Sequence, residues 1–197
     1  TMNYYCLNLG MVMGEAFESE TPTRALGVER AYDYTRQMLA GVGRLHFAGL
    51  IHRDLKPANA MLDNQDNLKL IDLGLSKLRH ETGKSLPGGL KIGTPFYCAP
   101  EQDEDHNKAD ERSDLFSVGV TLCRMLTGHL PITDEGRGPA PSELRPILGT
   151  AFDELVLAST RTDPDKRPQT AAEMIDLLDW SMKEWRAEME AQCALMD

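Results

Sequence analysis

Residues 1–55 contain no lysine, and the first in the chain is Lys56. No Gly-x-Gly-x-x-Gly run occurs either. No stretch reaches the roughly 18 apolar residues of a membrane-crossing helix. The N-terminus shows no charged segment followed by an apolar one, so it does not read as a secretory signal. Runs of Lys and Arg are also missing and the net charge is −10, which disfavours nucleic acid or an anionic membrane as partner. The cysteines Cys6, Cys98, Cys123 and Cys193 lie far apart, in neither paired nor metal-ligand spacing. They read as free thiols of a reducing compartment, and a cytoplasmic location is expected. There is no internal repeat and no low-complexity tract.

What remains is a chain of 197 residues, 41% hydrophobic, enough for one domain or a large piece of one. Residues 1–13 are apolar and β-prone, broken at Asn8-Leu9-Gly10, and read as a hairpin or a strand entering a connector. Val28, Tyr32, Thr35, Leu39, Val42 and Leu45 recur at helical spacing and predict a helix from about residue 28 to 47. Met61-Leu62 and Leu68 to Ile71, separated by Asp63-Asn64-Gln65-Asp66-Asn67, predict a hairpin with a polar tip. Residues 74–98 are rich in Gly, Ser, Thr and Lys with little periodicity, the mark of a functional or mobile segment.

From Asp114 onward Leu115, Phe116, Val118, Val120, Leu122, Met125 and Leu126 predict a buried helix apolar nearly all round, stopped by Gly128. Residues 128–149 are poorly helical, and 151–160 read as a short helix. The last helix begins at Thr170, where Thr170-Ala171-Ala172-Glu173 has the form of a capping box. Its stripe of Met174, Leu178, Met182, Trp185 and Met189 packs within the fold or serves as a contact surface.

The densest polar cluster is His52-Arg53-Asp54-Leu55-Lys56-Pro57-Ala58-Asn59, followed at Asp72-Leu73-Gly74 by a second carboxylate. Asp54 and Asp72 flank a short apolar segment and could hold a divalent cation and orient a hydroxyl. Further on come Gly93-Thr94-Pro95-Phe96-Tyr97-Cys98-Ala99-Pro100-Glu101, then Asp114-Leu115-Phe116-Ser117-Val118-Gly119, then Asp163-Pro164-Asp165-Lys166-Arg167-Pro168. In this order and spacing, the set resembles the catalytic loop, metal-binding loop, activation-segment end, buried helix and late arginine loop of the eukaryotic-type (Hanks-type) serine/threonine protein kinases. Leu-Arg-Pro at 144–146 and the 163–169 wording resemble bacterial members.

The resemblance implies a protein-kinase-like α+β fold, mainly a helical large lobe with short β-hairpins, and phosphoryl transfer from ATP with Mg²⁺ to Ser/Thr hydroxyls of protein substrates. Asp54 would accept or orient the hydroxyl proton, and Lys56 would neutralise charge on the transferred group. Asn59 and Asp72 would hold Mg²⁺. His52 and Leu73 would join an apolar stack, with Leu73 standing where Phe is commoner. Asp114 would accept amide bonds from the catalytic loop, and Glu101 would pair with Arg167. Arg53 before Asp54 resembles kinases switched by activation-loop phosphorylation, with Ser76, Thr82 and Ser85 as candidate acceptors and Thr94 in the segment that marks the Ser/Thr branch. Members preferring basic substrates often carry Glu at the position of Ala58 and in the buried helix near Arg124, and this chain has neither.

Met11-Val12-Met13-Gly14-Glu15 resembles the last small-lobe strand and the hinge. Met13, Gly14, Ala16 and Met61 are therefore candidate nucleotide contacts. With no glycine loop and no lysine ahead of Lys56, residues 1–13 read as a remnant of small-lobe strands, a small lobe truncated to a stub. Residues 14–180 then form the large lobe, with the catalytic loop at 52–59 and the activation segment at 72–101, and 181–197 form a helical extension. The expectations are weak or no activity for this stretch alone, and a homodimer or strand swap through the exposed stub. The rival reading is a non-catalytic kinase-like scaffold.

Overall fold

The computed structural model describes residues 7–15, 21–73, 77–78, 96–105, 107–133 and 136–195. Ala16, Gly74, Ser76, Thr82, Ser85, Gly93 and Thr94, to which the sequence assigns roles, lie outside the described residues. Strand β1 (Leu7–Asn8) runs directly into helix α1 (Leu9–Met13). The Asn8 side chain accepts from the Met11 amide and caps that helix, and Gly14, left-handed at φ 68°, closes it. The strand expected at 11–13 is thus a turn of helix: Leu9 and Met13, four residues apart, share one face and are fully buried in the main core.

Helix α2 (Val28–Phe47) fills the span its periodicity predicts. Strand β2 (Leu50–Ile51) leads into the polar loop, which closes in a 3-10 turn at Pro57–Asn59. Strands β3 (Ala60–Leu62) and β4 (Leu68–Leu70) form the expected hairpin, and β5 (Lys77–Leu78) pairs antiparallel with β2. Helix α3 (Pro100–Glu104) and helix α4 (Glu111–Thr127) follow. Then come the two-residue strands β6 (Ile132–Thr133) and β7 (Gly136–Arg137), paired with each other. Helices α5 (Pro141–Leu144), α6 (Asp153–Ser159) and α7 (Ala171–Ala194) complete the described chain. The largest sheet has the order β1-β3-β4, all antiparallel, and apart from the two-stranded pairs β2-β5 and β6-β7 the regular structure of the described residues is helical.

The body is assembled around α4, in which every residue from Ser113 to Thr127 is buried. It starts a turn earlier than its apolar pattern suggests, because Asp110 and Ser113 cap each other's backbone and that first turn is polar. Helices α2, α5 and α6 pack on it. A Cβ on Gly119 would come within 2.2 Å of the Ser159 hydroxyl, so α4 and α6 meet where no side chain fits. At its end Gly128 is left-handed (φ 81°), and a Cβ there would lie 2.3 Å from the Thr23 carbonyl oxygen. Helix α7 runs antiparallel along α2, tied by Tyr32 and Arg36 to Asp179 and by Arg186 to Glu29. It is one continuous helix across residue 181; Ser181 and Met182 are buried, and Trp185 donates to the Ile147 carbonyl at 3.1 Å. Its cap is shared between two residues: Thr170 accepts from the Glu173 amide, while Glu173 reaches back to the amide of Gln169 rather than to that of Thr170.

The expected pairing of Glu101 with Arg167 is present and bidentate, both bonds 2.7 Å long. The Arg167 side chain is fully buried, and its remaining donors go to the carbonyls of Arg161, Thr162 and Arg112. It also lies 4.9 Å from the centre of the Phe116 ring. One pair thereby ties α3 to α4 and to the loop before α7. Burial pushes the Glu101 carboxyl up, but the bonds from Arg167 and Ser113 outweigh it and hold it below its ordinary 4.5. The stability this carboxylate supplies is therefore fully present above pH 4.5 and lost as pH falls through its lower folded value. Arg167→Ala, which strands a buried carboxylate, should cost about 3–5 kcal/mol. In melts at neutral and acid pH the gap to wild type should narrow in acid; a variant melting like wild type at pH 7 would remove the role given to the pair.

Candidate functional site

The site grows out of one buried carboxylate. Asp114, in the first turn of α4, accepts from the backbone N–H of His52 (2.9 Å, Oδ2) and of Arg53 (2.9 Å, Oδ1), as the sequence reading expects. A third contact was not foreseen: His46 Nε2, in the last turn of α2, lies 2.8 Å from Oδ2. The helix N-terminus favours the negative charge, and the amides fix the loop's direction. Arg53 is held at φ 70° by these bonds, and its carbonyl accepts from the buried Gln102 of α3 at 2.6 Å. Burial lowers the affinity of the Arg53 guanidinium for its proton, against the pull of Asp114, and its Nε is buried without a hydrogen-bond partner among the described residues.

Beyond this anchor the loop presents its polar side chains together. Asn59 donates from Nδ2 to the Asp54 carbonyl (2.8 Å) and to Asp54 Oδ2 (2.9 Å). Lys56 Nζ reaches the same Oδ2 at 2.9 Å. Asp54 Oδ1 takes no part in these contacts, and with both Nδ2 protons engaged Asn59 offers its amide oxygen. Asp72 is exposed and left-handed (φ 63°), an uncommon conformation for a residue other than glycine and one that gathers at functional positions. It is brought to Asn59 by the hairpin base, where the Ile71 amide donates to the Asn59 carbonyl at 3.0 Å.

These residues fit a hard cation. Asn59 Oδ1 and the Asp72 carboxylate are oxygen donors with few other protein ligands near, the type of site Mg²⁺ occupies together with phosphate oxygens. Among the described residues no group of three or more His, Cys, Asp or Glu could hold a metal, so a closed zinc-type centre is not formed there.

His52 and Leu73, expected in one apolar stack, differ in burial: Leu73 is 45% exposed beside Ile71 at 39%, on a face that no described element covers. His52 itself is fully buried and bonds to the backbone, its Nε2 lying 3.1 Å from the Ile71 carbonyl. The backbone at Met13 and Gly14, the candidate nucleotide contacts, makes bonds within the chain. The Met13 carbonyl accepts from Arg24, and the amides of Gly14 and Glu15 are used to close α1. Met61 is half-buried in β3, paired with Asn8 and Lys69.

Sequence reading also missed a buried charged cluster beside the loop. Arg124, 1% exposed in α4, lies 3.4 Å from Glu15, whose same oxygen accepts the Tyr97 hydroxyl at 2.6 Å. The Tyr97 phenol is pushed far up by burial and by the Glu15 carboxylate. A single arginine inside an apolar helix was the available signal. The cleft of about 340 Å³ between α2 and the hairpin tip, lined by residues such as Arg30, Tyr34 and Asp66, lies at the far end of the hairpin from Asn59 and Asp72.

Comparison with known proteins agrees with this geometry. The family model described as protein kinase domain matches residues 1–188. The human hormonally up-regulated neu tumor-associated kinase is 35% identical over 173 residues, covering 81% of this chain and 23% of that protein. The serine/threonine-protein kinase PknL of Mycobacterium tuberculosis is 37% identical over 151 residues, covering 71% of this chain and 37% of that protein. The chain thus spans between about a quarter and two fifths of these curated relatives. The crystal structure of the M. tuberculosis PknI kinase domain superposes with a TM-score of 0.66 at 21% identity, over 89% of this chain and 61% of that one.

Because Asp114 accepts three donors while buried, Asp114→Asn should cost about 2–3 kcal/mol, the loss expected when hydrogen bonds to a buried charge are weakened. Amide hydrogen exchange at His52 and Arg53 should accelerate with it, and unchanged protection at both would rule out the anchoring role.

Proposed function

The chain belongs to the protein kinase domain family, and from that premise we propose that the protein carrying it transfers the γ-phosphoryl group of ATP to Ser or Thr hydroxyls of protein substrates. The observation that carries this reading is the convergence of Lys56 and Asn59 on one oxygen of Asp54, which leaves the other oxygen outside these contacts. In that arrangement Asp54 Oδ1 takes the hydroxyl proton as the oxygen attacks phosphorus, and Lys56 lies where charge develops on the transferred group. Holding Asp54 through both its carbonyl and its carboxylate restricts it to one orientation, which favours a near-attack geometry. Asn59 Oδ1 and Asp72 would hold Mg²⁺, which when bound neutralises and orients the phosphates.

The Ser/Thr preference rests on Lys56 and Thr94, and is supported by the likeness to PknL, a serine/threonine-protein kinase. We read 52–59 as the catalytic loop, 72–101 as the activation segment and 181–197 as an extension of the helical body. Phosphorylation at Thr82 or Ser85 as an activating event belongs to the same proposal, with the Arg53 guanidinium as the cation that would meet it. None of the described helices is long and apolar enough to cross a membrane.

The assay uses the complete gene product. Asp54→Asn should lower kcat about a hundred- to ten-thousandfold with KM for MgATP little changed; equal phosphate transfer by variant and wild type would end the catalytic claim and favour a scaffold. Asp72→Asn should weaken Mn²⁺-dependent binding of an ATP analogue by roughly tenfold or more, read by calorimetry without turnover.

A further inference from the structure

Asn59 stands just before β3 and Asp72 just beyond β4, so their separation depends on how the hairpin lies. The ladder is short: Ala60 faces Leu70, Met61 faces Lys69 and Leu62 faces Leu68. On the outer side of β4 no further strand is found among the described residues, and α2 takes its place. The contact is made by a side-chain amide acting as a peptide would. Gln37 Oε1 accepts from the Leu68 amide at 2.8 Å, and Gln37 Nε2 donates to the Asp66 carbonyl at 3.1 Å. One turn further along α2, a Cβ on Gly41 would sit 3.1 Å from Leu70 Cδ1, so helix and strand run close together.

The hairpin tip keeps its own shape by other means. Asp63 accepts from the amides of Gln65 and Asn67, while Asp66, left-handed at φ 60°, accepts from Arg30 and from the Tyr34 hydroxyl. The tip therefore has supports besides Gln37, and Gln37 adds a bond to β4 itself at Leu68. Helix α2 carries His46 as well, which reaches the Asp114 carboxylate that holds the catalytic loop. Both halves of the candidate site are thus measured from one helix.

We propose that Gln37 is a positioning residue for the cation-binding end of the site, setting the axial placement of β4 and through it the reach of Asp72 toward Asn59. This rests on the assignment of Asn59 and Asp72 as cation ligands. One bond to the first residue of a three-residue strand and one to the turn that enters it act at the end of a short ladder, and Asp72 follows four residues after Leu68.

The test compares Gln37→Leu, which removes both bonds and keeps the bulk, with Gln37→Glu, which keeps an acceptor for Leu68. Mn²⁺ binding to the complete gene product, with a non-hydrolysable ATP analogue present, is measured beside thermal melting. Gln37→Leu should weaken Mn²⁺ binding by roughly tenfold, Gln37→Glu by less, with binding of the metal-free analogue unchanged. A Gln37→Leu protein that melts lower yet binds Mn²⁺ as wild type would overturn the proposal, and if that variant fails to fold, wild-type Mn²⁺ binding by a Gln37→Glu protein that melts lower does so. Asp72→Asn separates the two levels: normal Mn²⁺ binding there overturns the ligand assignment and this inference together, whereas loss there with none in the Gln37 variants overturns this inference alone.

Discussion

A single carboxylate, that of Asp114, stands between the hydrophobic core and the polar loop. It belongs to the first turn of a helix that is buried from Ser113 to Thr127, so its own position is fixed by packing. Burying a charge is costly unless it is fully bonded, and here it receives two backbone amides and the His46 ring. The two amides come from the residues immediately before Asp54. The rigidity of the core is thereby handed to a loop whose own regular structure is a single 3-10 turn, and Asp54, Lys56 and Asn59 inherit it.

Other buried charges obey the same rule. Arg167 sits among carbonyls and the Glu101 carboxylate, and joins three segments that apolar contacts alone would leave free to slide. Arg124 faces Glu15 and the Tyr97 ring within the lower half of α4. Each cluster ties a segment distant in sequence to the central helix: the loop after α1, the stretch that ends at Pro100, or the loop before α7. Apolar burial supplies most of the driving force, and these polar ties choose one arrangement among those the apolar contacts would permit. Cys123, by contrast, is plain core; burial pushes its thiol up to about 12, which leaves it inert as a nucleophile.

Much of this was legible in the residues. Periodicity located α2, α4 and α7 because each has an apolar stripe long enough to outweigh local noise, and the polar tip of the β3–β4 hairpin was marked by five consecutive Asp, Asn and Gln residues. The motif set identified Asp54, Lys56, Asn59, Asp72, Asp114 and the Glu101–Arg167 pair. The misread stretch was 9–13. There an apolar run of five residues fits strand or helix equally, and the decision fell to a cap at Asn8 and a left-handed Gly14, each a single residue.

The family and the identity of the chemical groups are readable along the chain, because both are carried by residue types at fixed spacing. How those groups are held follows from packing in three dimensions. That His46 and not a backbone group completes the bonding of Asp114, that Leu73 lies exposed, and that Gln37 completes the edge of β4 all depend on which surfaces of α2 and α4 meet the loop. Such contacts join residues from about 20 to 70 positions apart. A one-dimensional pattern records which residues can bond, and close packing selects which of them do.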